Sequence, residues 1–317
     1  MGRTLSDQVL DTLKAVGVDR IYGIPGDTID TLMESLRKDG DVEFVVCRHE
    51  ENAAFMASGQ ARVTGKLAVV CACQGPGANN LLNGLADAAG DRIPVLAITG
   101  QVESDRIGSG MPQESSQLKL FDDIALFNAE ARTPQNLMEM LHLAINAALT
   151  YRGVAHISVP SDVMLQKEVP FPLPIAVTEH DAAMVPADSA LDEAAKAINA
   201  SKRPMILYGE GARGIADKVV TLSEKLQAPL IHTTRSKDII DNHHPNVLGG
   251  IGIMGAHPSN HALHQGDLLV VVGCNFAWRQ FYPQGVPIVK IDHDPVHLAT
   301  HIPVTHPVLG DAGRSVD

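Results

Sequence analysis

The sequence predicts an α/β protein: two doubly wound, mainly parallel-sheet domains joined by a proline-rich linker. Three observations carry this prediction. Apolar runs of strand length alternate with segments of helical period from residue 4 to about 160, and the alternation restarts at 189. The runs are apolar at successive positions, the pattern of strands covered by helices on both faces. Between the two blocks, Pro170, Pro172, Pro174 and Pro186 exclude helix interiors and central strands, so the segment reads as an extended connection. The expected division is 1–165 for the first domain, 166–188 for the linker and 189–317 for the second domain.

In the first domain, Thr4 or Ser6 caps a helix with Val9, Leu13 and Val16 on one face. A strand at 20–24 stops at Pro25-Gly26, and Ile29, Leu32, Met33 and Leu36 mark a second amphipathic helix. Strands at 42–47, 67–73, 94–99 and 154–159 then alternate with alanine-rich helices at 51–63, 78–89 and 135–150. The second domain opens with a helix at 189–200, with Leu191, Ala195 and Ile198 in register. A strand at 204–208, a helix at 213–227 and strands at 229–233, 268–272 and 287–291 complete it.

A chain of 317 residues, 45% hydrophobic, suffices for two cores. Its net charge of −12 opposes nucleic acid and anionic lipid, whose binding depends on Lys and Arg neutralising phosphates. The apolar runs are far shorter than a membrane span, and the N-terminus carries no basic segment followed by an apolar one. Four cysteines without regular spacing fit a reducing compartment. The expectation is a cytoplasmic protein acting on a small molecule.

Open α/β sheets bind ligands beyond the carboxyl ends of their strands, so the residues just after each strand matter most. In the first domain these are Gly23-Ile24-Pro25-Gly26-Asp27, Arg48-His49-Glu50-Glu51, Gln74-Gly75-Pro76-Gly77-Ala78-Asn79 and Gly100-Gln101. Singly, each has a bland explanation. Glu50 is an acid complementing a helix dipole, and Gly75-Pro76-Gly77 is a tight turn into a helix. Together, Gly23 to Gly26, Arg48-His49-Glu50-Glu51 and Gly75 to Asn79 resemble the pyrimidine-binding domain of thiamine-diphosphate enzymes. The nearest branch is the pyruvate oxidase, pyruvate:quinone dehydrogenase and acetolactate synthase group. The stretch from Arg106 to Glu114 is most similar to pyruvate oxidase and the quinone-linked dehydrogenase.

The resemblance implies roles. Glu50 becomes the carboxylate that hydrogen-bonds N1′ of the aminopyrimidine, relaying acid–base catalysis through the cofactor in a largely dry site. Gly75, Pro76, Gly77 and Asn79 line the pyrimidine side, while Gly26 and the second catalytic residue, Gln113, approach a 2-oxo acid substrate. Pro112 stands where the family usually has phenylalanine, which removes an aromatic wall from the substrate pocket. Glu51 reads as solvated helix surface.

In the second domain, Gly209-Glu210-Gly211-Ala212-Arg213-Gly214 is a G-x-G-x-x-G directly after a strand. The next strand ends at His232-Thr233-Thr234-Arg235, without the acid that an NAD ribose needs. The resemblance instead implies an FAD cradle of Gly209, Gly211, Arg213, Thr233, Thr234, Lys237, Gly252, Gly255, Gly273, Asn275 and Asp292. The same fold without a cofactor is the alternative. Trp278 and Phe281 fit ring stacking or packing equally well. His257, His261 and His264 read as surface residues rather than metal ligands, because Pro258 interrupts their stretch, and Cys71 and Cys73 read as core thiols.

In the family, Mg²⁺ and the diphosphate bind a further domain opening with Gly-Asp-Gly, a motif this sequence lacks. The expectation is a chain inactive by itself, completed by a homodimer, a homotetramer or a partner chain. As a whole it reads as the first two domains of a thiamine-diphosphate- and FAD-dependent enzyme decarboxylating pyruvate or a related 2-oxo acid. An acetolactate synthase-like carboligase and a non-catalytic paralogous subunit are the alternatives.

Overall fold

The strands lie side by side in parallel, and their burial explains their composition. A computed structural model describes residues 2–172, 184–298 and 300–317, and the chain divides into two compact units, Met1–Glu179 and His180–Asp317. In the first unit, strands β1 (Arg20–Gly23), β2 (Glu43–Val46), β3 (Ala68–Ala72), β4 (Val95–Gln101), β5 (Ala125–Glu130) and β6 (Val154–Pro160) form one sheet in the order β2-β1-β3-β4-β6-β5. Every neighbouring pair is parallel. Val69, Cys71, Leu96 and Ile98 enter one apolar cluster, and the intervening Ala68, Val70, Val95 and Ala97 enter another. Both faces of β3 and β4 are therefore covered, so both phases of these central strands must be apolar.

The covering helices are α1 (Leu5–Ala15), α2 (Asp30–Asp39), α3 (Glu50–Thr64), α4 (Pro76–Gly90), α5 (Gln117–Phe121), α6 (Pro134–Thr150) and α7 (Ser161–Met164). Thr4, not Ser6, caps α1: its hydroxyl accepts from Asp7 N, and the Asp7 carboxylate accepts from Thr4 N. Pro76 and Pro134 stand in the first turns of α4 and α6, where the missing N–H has no intrahelical partner to lose.

The second unit contains β7 (Pro204–Tyr208), β8 (Leu230–His232), β9 (Val247–Gly250), β10 (Leu268–Val272), β11 (Ile288–Asp292) and β12 (His306–Leu309). Their order is β12-β11-β10-β7-β8-β9, again all parallel, which is the 3-2-1-4-5-6 order of dinucleotide-binding sheets. Its helices are α8 (Asp188–Ala200), α9 (Ala216–Leu226), α10 (His257–Gln265), α11 (Pro295–Leu298) and α12 (Ala312–Ser315).

The structure adds strands β5, β9 and β12 to those read from the sequence. All three are edge strands, covered on fewer sides, so they lack continuous apolar runs. β12 even contains Pro307, which an edge tolerates. Pro258 does not prevent α10, because it lies in the first helical turn. Just before the expected linker, residues 161–164 are helical, and within it Val169 pairs with the Gln8 side chain, donating at 3.0 Å and accepting at 2.8 Å. Phe171 packs on the first core. Of that linker, 173–183 lies outside the described residues, and its last residue, Asp188, already opens a helix.

Candidate active site

The chain leaves β1 toward β2 on one side and then crosses to β3 on the other, so the tips of β1 and β3 form a topological switch point. A Cβ at Gly26, after β1, would lie 2.8 Å from Cys73 Cβ, after β3, so only glycine permits this approach. Glu50 arrives from β2 as the first residue of α3, where the helix dipole favours a carboxylate, and it is 9% exposed. Its Oε2 accepts a hydrogen bond from Asn80 Nδ2 of α4 at 3.0 Å.

The other oxygen faces a gap made by glycine. A Cβ at Gly77 would come within 3.4 Å of Glu50 Oε1 and 3.1 Å of Cys73 Sγ. Gly75 supplies the turn into α4 at φ 56, and a Cβ there would lie 2.1 Å from Gln113 O. Gln113 is itself left-handed, at φ 65, and exposed. Gln74 links it to the β1 tip: Nε2 donates to Gln113 Oε1 at 3.5 Å, while Oε1 accepts from the Thr28 hydroxyl. Glu50, Gly26, Gly75, Gly77 and Gln113 thus gather at one crevice although they come from four separate segments.

Three sequence readings gain structural detail here. Asn79 is exposed and lines a 420 Å³ groove with His49, Glu51, Asn80 and Asn83, and of the two asparagines it is Asn80 that holds Glu50. Cys71 is a core thiol, pushed up to about 12 by burial, but Cys73 is only half-buried and stands at the crevice. Burial, then Asp27 and Glu50, raise its pKa. Glu51 is not free surface, since its Oε1 accepts from Asn83 Nδ2 at 2.5 Å. Asn80, Cys73 and Thr28 therefore join the candidate site without having been singled out for it in the sequence, whereas Gln74 already stood among the strand-tip residues. The second asparagine of the Gly75 to Asn80 run was the available signal.

A nearly buried carboxylate with one oxygen tied and the other beside a gap fits the ring nitrogen of an aminopyrimidine.

In the second unit, Gly209, Gly211 and Gly273 meet at the β7/β10 switch point. Gly211 N donates to Gly273 O at 2.9 Å, and a Cβ at Gly209 would lie 2.5 Å from that oxygen. Arg213 is committed within the chain, its Nη1 and Nη2 each 3.0 Å from an Asp238 oxygen and its Nε 2.5 Å from Glu210. Thr233 caps the short turn Thr234–Ser236, and Gly255 N closes a turn onto Gly252 O at 2.8 Å. Asp292 is buried and accepts from Asp294 N at 3.0 Å, while Thr234, Lys237 and Asn275 are exposed. Trp278 is half exposed, and Phe281 packs at 6.1 Å from Phe276. His257, His261 and His264 are exposed, and no group of three metal-ligating side chains occurs among the described residues.

Fold and site together define a cofactor-binding α/β protein whose key carboxylate opens a helix at a glycine-lined strand tip. The thiamine pyrophosphate enzyme, N-terminal TPP binding domain, matches residues 3–120, and the thiamine pyrophosphate enzyme, central domain, matches residues 191–317. The chain belongs to the thiamine pyrophosphate enzyme family. It is 35% identical to the protein YdaP of Bacillus subtilis over 311 residues, 98% of this chain and 54% of YdaP. It is 31% identical to the pyruvate oxidase of Lactiplantibacillus plantarum over 314 residues, 97% of this chain and 52% of that enzyme. With the acetolactate synthase isozyme 1 large subunit of Escherichia coli it shares 33% identity over 302 residues, 93% of this chain and 53% of that subunit. The chain spans about half the length of these relatives.

Proposed function

We propose that the chain supplies the pyrimidine-binding and central units of an enzyme that decarboxylates a 2-oxo acid, with pyruvate as substrate. The observation that carries this is Glu50: nearly buried, one oxygen held by Asn80, the other beside the space that Gly77 keeps open. Thiamine diphosphate, when bound, supplies the electron sink for loss of CO₂. The residues of this chain do the rest of the local work. Glu50 Oε1 holds a proton toward the pyrimidine ring nitrogen, and Asn80 fixes the carboxylate in that direction. Gly26, Gly75 and Gly77 admit the ring, and the Gln113 amide stands at the mouth to meet the substrate carboxylate or carbonyl. Mg²⁺ and the diphosphate are held by a further domain or by a partner chain, within a homodimer or homotetramer.

For the second unit the reading is FAD, held at the carboxyl edge of the sheet by the glycine tips and by Thr233, Thr234, Lys237, Asn275 and Asp292. The Rossmann strand order and the convergence of Gly209, Gly211 and Gly273 support it. Arg213 would exchange one of its two carboxylates for the cofactor. Oxidation of the decarboxylated substrate, with electrons passed on to quinone or oxygen, is the outcome favoured by the pyruvate oxidase likeness. The likeness to an acetolactate synthase large subunit favours a carboligase as second reading. Among the described residues no helix is long and apolar enough to cross a membrane.

The test is titration calorimetry of the 317-residue chain with thiamine diphosphate, with Glu50→Ala as control, followed by a visible absorbance scan with FAD and pyruvate. Binding that Glu50→Ala abolishes supports the cofactor site. Bleaching of a bound flavin by pyruvate supports the oxidase, consumption of pyruvate over an unbleached flavin supports the carboligase, and no thiamine binding sinks both.

A further inference from the structure

The turn that leads into Gln113 is gathered by a single carboxylate. Glu114 Oε2 accepts from Gly110 N at 2.9 Å and Met111 N at 3.1 Å, and Oε1 accepts from Gly108 N. Three backbone N–H groups of one turn therefore converge on one side chain. An ionised acceptor makes such bonds about twice as strong as neutral ones. The backbone needs holding, because it is left-handed at Gly108 (φ 89), Gly110 (φ 76) and Gln113 (φ 65). A glutamine in that region is a strained choice that neighbouring structure must enforce.

The surroundings assign the remaining anchors. Ser104 donates from N and Oγ to Asp162 at 2.8 and 2.6 Å, and Gln101 Nε2 donates to Ser115 O at 3.1 Å, so both ends of the loop are fixed to β4 and α7. Between those ends, Gln113 is pressed against Gly75, and its side chain meets Gln74. Arg106, the cation within the turn, lies 3.7 Å from Glu103. The three amides, Gly108 first, hold the Glu114 carboxyl below the usual carboxylate range.

We infer that Glu114 is a positioning residue: its carboxylate gathers the amides of 108, 110 and 111 and thereby fixes Gln113 against Gly75 at the substrate mouth. The part concerning substrate rests on the proposed function, while the hold on the loop does not. Glu114 touches no reacting atom, so its effect should fall on the substrate side of the site and spare the pyrimidine side, where Glu50, Asn80 and Gly77 are unaltered.

The experiment compares Glu114→Ala and Glu114→Gln in the full chain by amide hydrogen exchange, by titration with thiamine diphosphate, and by titration of the thiamine-diphosphate-loaded chain with pyruvate. Glu114→Ala is expected to lose protection at residues 108–111 about tenfold, and to weaken pyruvate binding about tenfold, with thiamine diphosphate affinity kept within about twofold. Glu114→Gln, which retains one carbonyl oxygen, should recover part of both losses. Unchanged protection in Glu114→Ala overturns the inference. So does a loss of thiamine diphosphate affinity matching that of pyruvate, which would mark a general structural defect. Full protection loss with unaltered pyruvate binding would overturn the link to Gln113. If the wild-type chain binds no thiamine diphosphate, the proposed function fails, and the exchange measurement still decides whether Glu114 holds the loop.

Discussion

Asn80 Nδ2 reaches Glu50 Oε2 at 3.0 Å because two helices lie side by side in the same direction. Glu50 and Ala54 share one face of α3, four residues apart, as Asn80 and Gly84 do on α4. At the second of these pairs a Cβ on Gly84 would lie 2.6 Å from Ala54 Cβ and 2.7 Å from Phe55 N. That backbone-to-side-chain approach fixes the rotation of α4 about its axis. The same rotation places Asn80, rather than Asn79, over the carboxylate. One turn further on, the Ser58 hydroxyl donates to Asp87 at 3.0 Å and continues the seam.

Replacing Asn80 by Ala removes a donor from a nearly buried carboxylate, which costs about 1–3 kcal/mol when a charged acceptor loses its partner. Weaker thiamine diphosphate binding, by about tenfold, is expected in Asn80→Ala and near-wild-type binding in Asn79→Ala. Calorimetry on the two variants side by side checks this. Equal losses at both positions would assign the holding role wrongly.

Gly77→Ala tests the gap beside Glu50. The new methyl group would stand 3.1 Å from Cys73 Sγ and 3.4 Å from Glu50 Oε1, tight but not prohibitive for the fold. Thermal stability should change little while thiamine diphosphate affinity drops about tenfold or more. A second substitution, Cys73→Ala, clears the sulfur without clearing the ring space, so binding should stay impaired in the double variant.

The α3/α4 seam makes the opposite prediction at Gly84. There a methyl group meets Ala54 and the backbone of Phe55, neither of which can turn aside. Overpacking of this kind costs about 1–3 kcal/mol, so Gly84→Ala should lower the urea midpoint of the first unit. Because α4 must also rotate or withdraw, the Asn80–Glu50 bond should lengthen, and thiamine diphosphate binding should fall with stability. Intact binding in a destabilised variant would separate the seam from the site.

Acid sensitivity of the first unit should originate at His156. Its imidazole is buried in β6, with Nε2 2.8 Å from Thr99 Oγ1, Nδ1 2.7 Å from Asn128 Oδ1 and the ring stacked on Phe121 at 3.8 Å. Burial pushes it down to about 3. In the unfolded chain it returns to about 6.5. As pH falls from there, the unfolded state takes up the proton first, so stability present at neutral pH is lost progressively toward pH 3. His142, also lowered by burial, adds a smaller slope of the same sign. Urea midpoints followed across that range should fall in the wild type and fall less in His156→Gln. A slope untouched by the substitution would place the sensitive group elsewhere.

The sequence by itself determined what depends on neighbours along the chain. Strands buried on both faces must be apolar at every position, so the central strands of both sheets and the α/β class were legible. The placing of Glu50 was legible too, since the chain carries it from a strand tip into the first turn of a helix. The edge strands β5, β9 and β12 were not, because an edge needs fewer apolar residues and shows no such run. Only tertiary structure decided which of two adjacent asparagines reaches Glu50. Consecutive residues on a helix differ by about 100°, and the packing of Gly84 on Ala54 chooses between them. Likewise, nothing local announces that Gln113 lies against Gly75 or that Cys73 leaves the core for the crevice. Those relations join segments far apart in sequence, and the close packing of backbone on backbone at the sheet's carboxyl edge settles them.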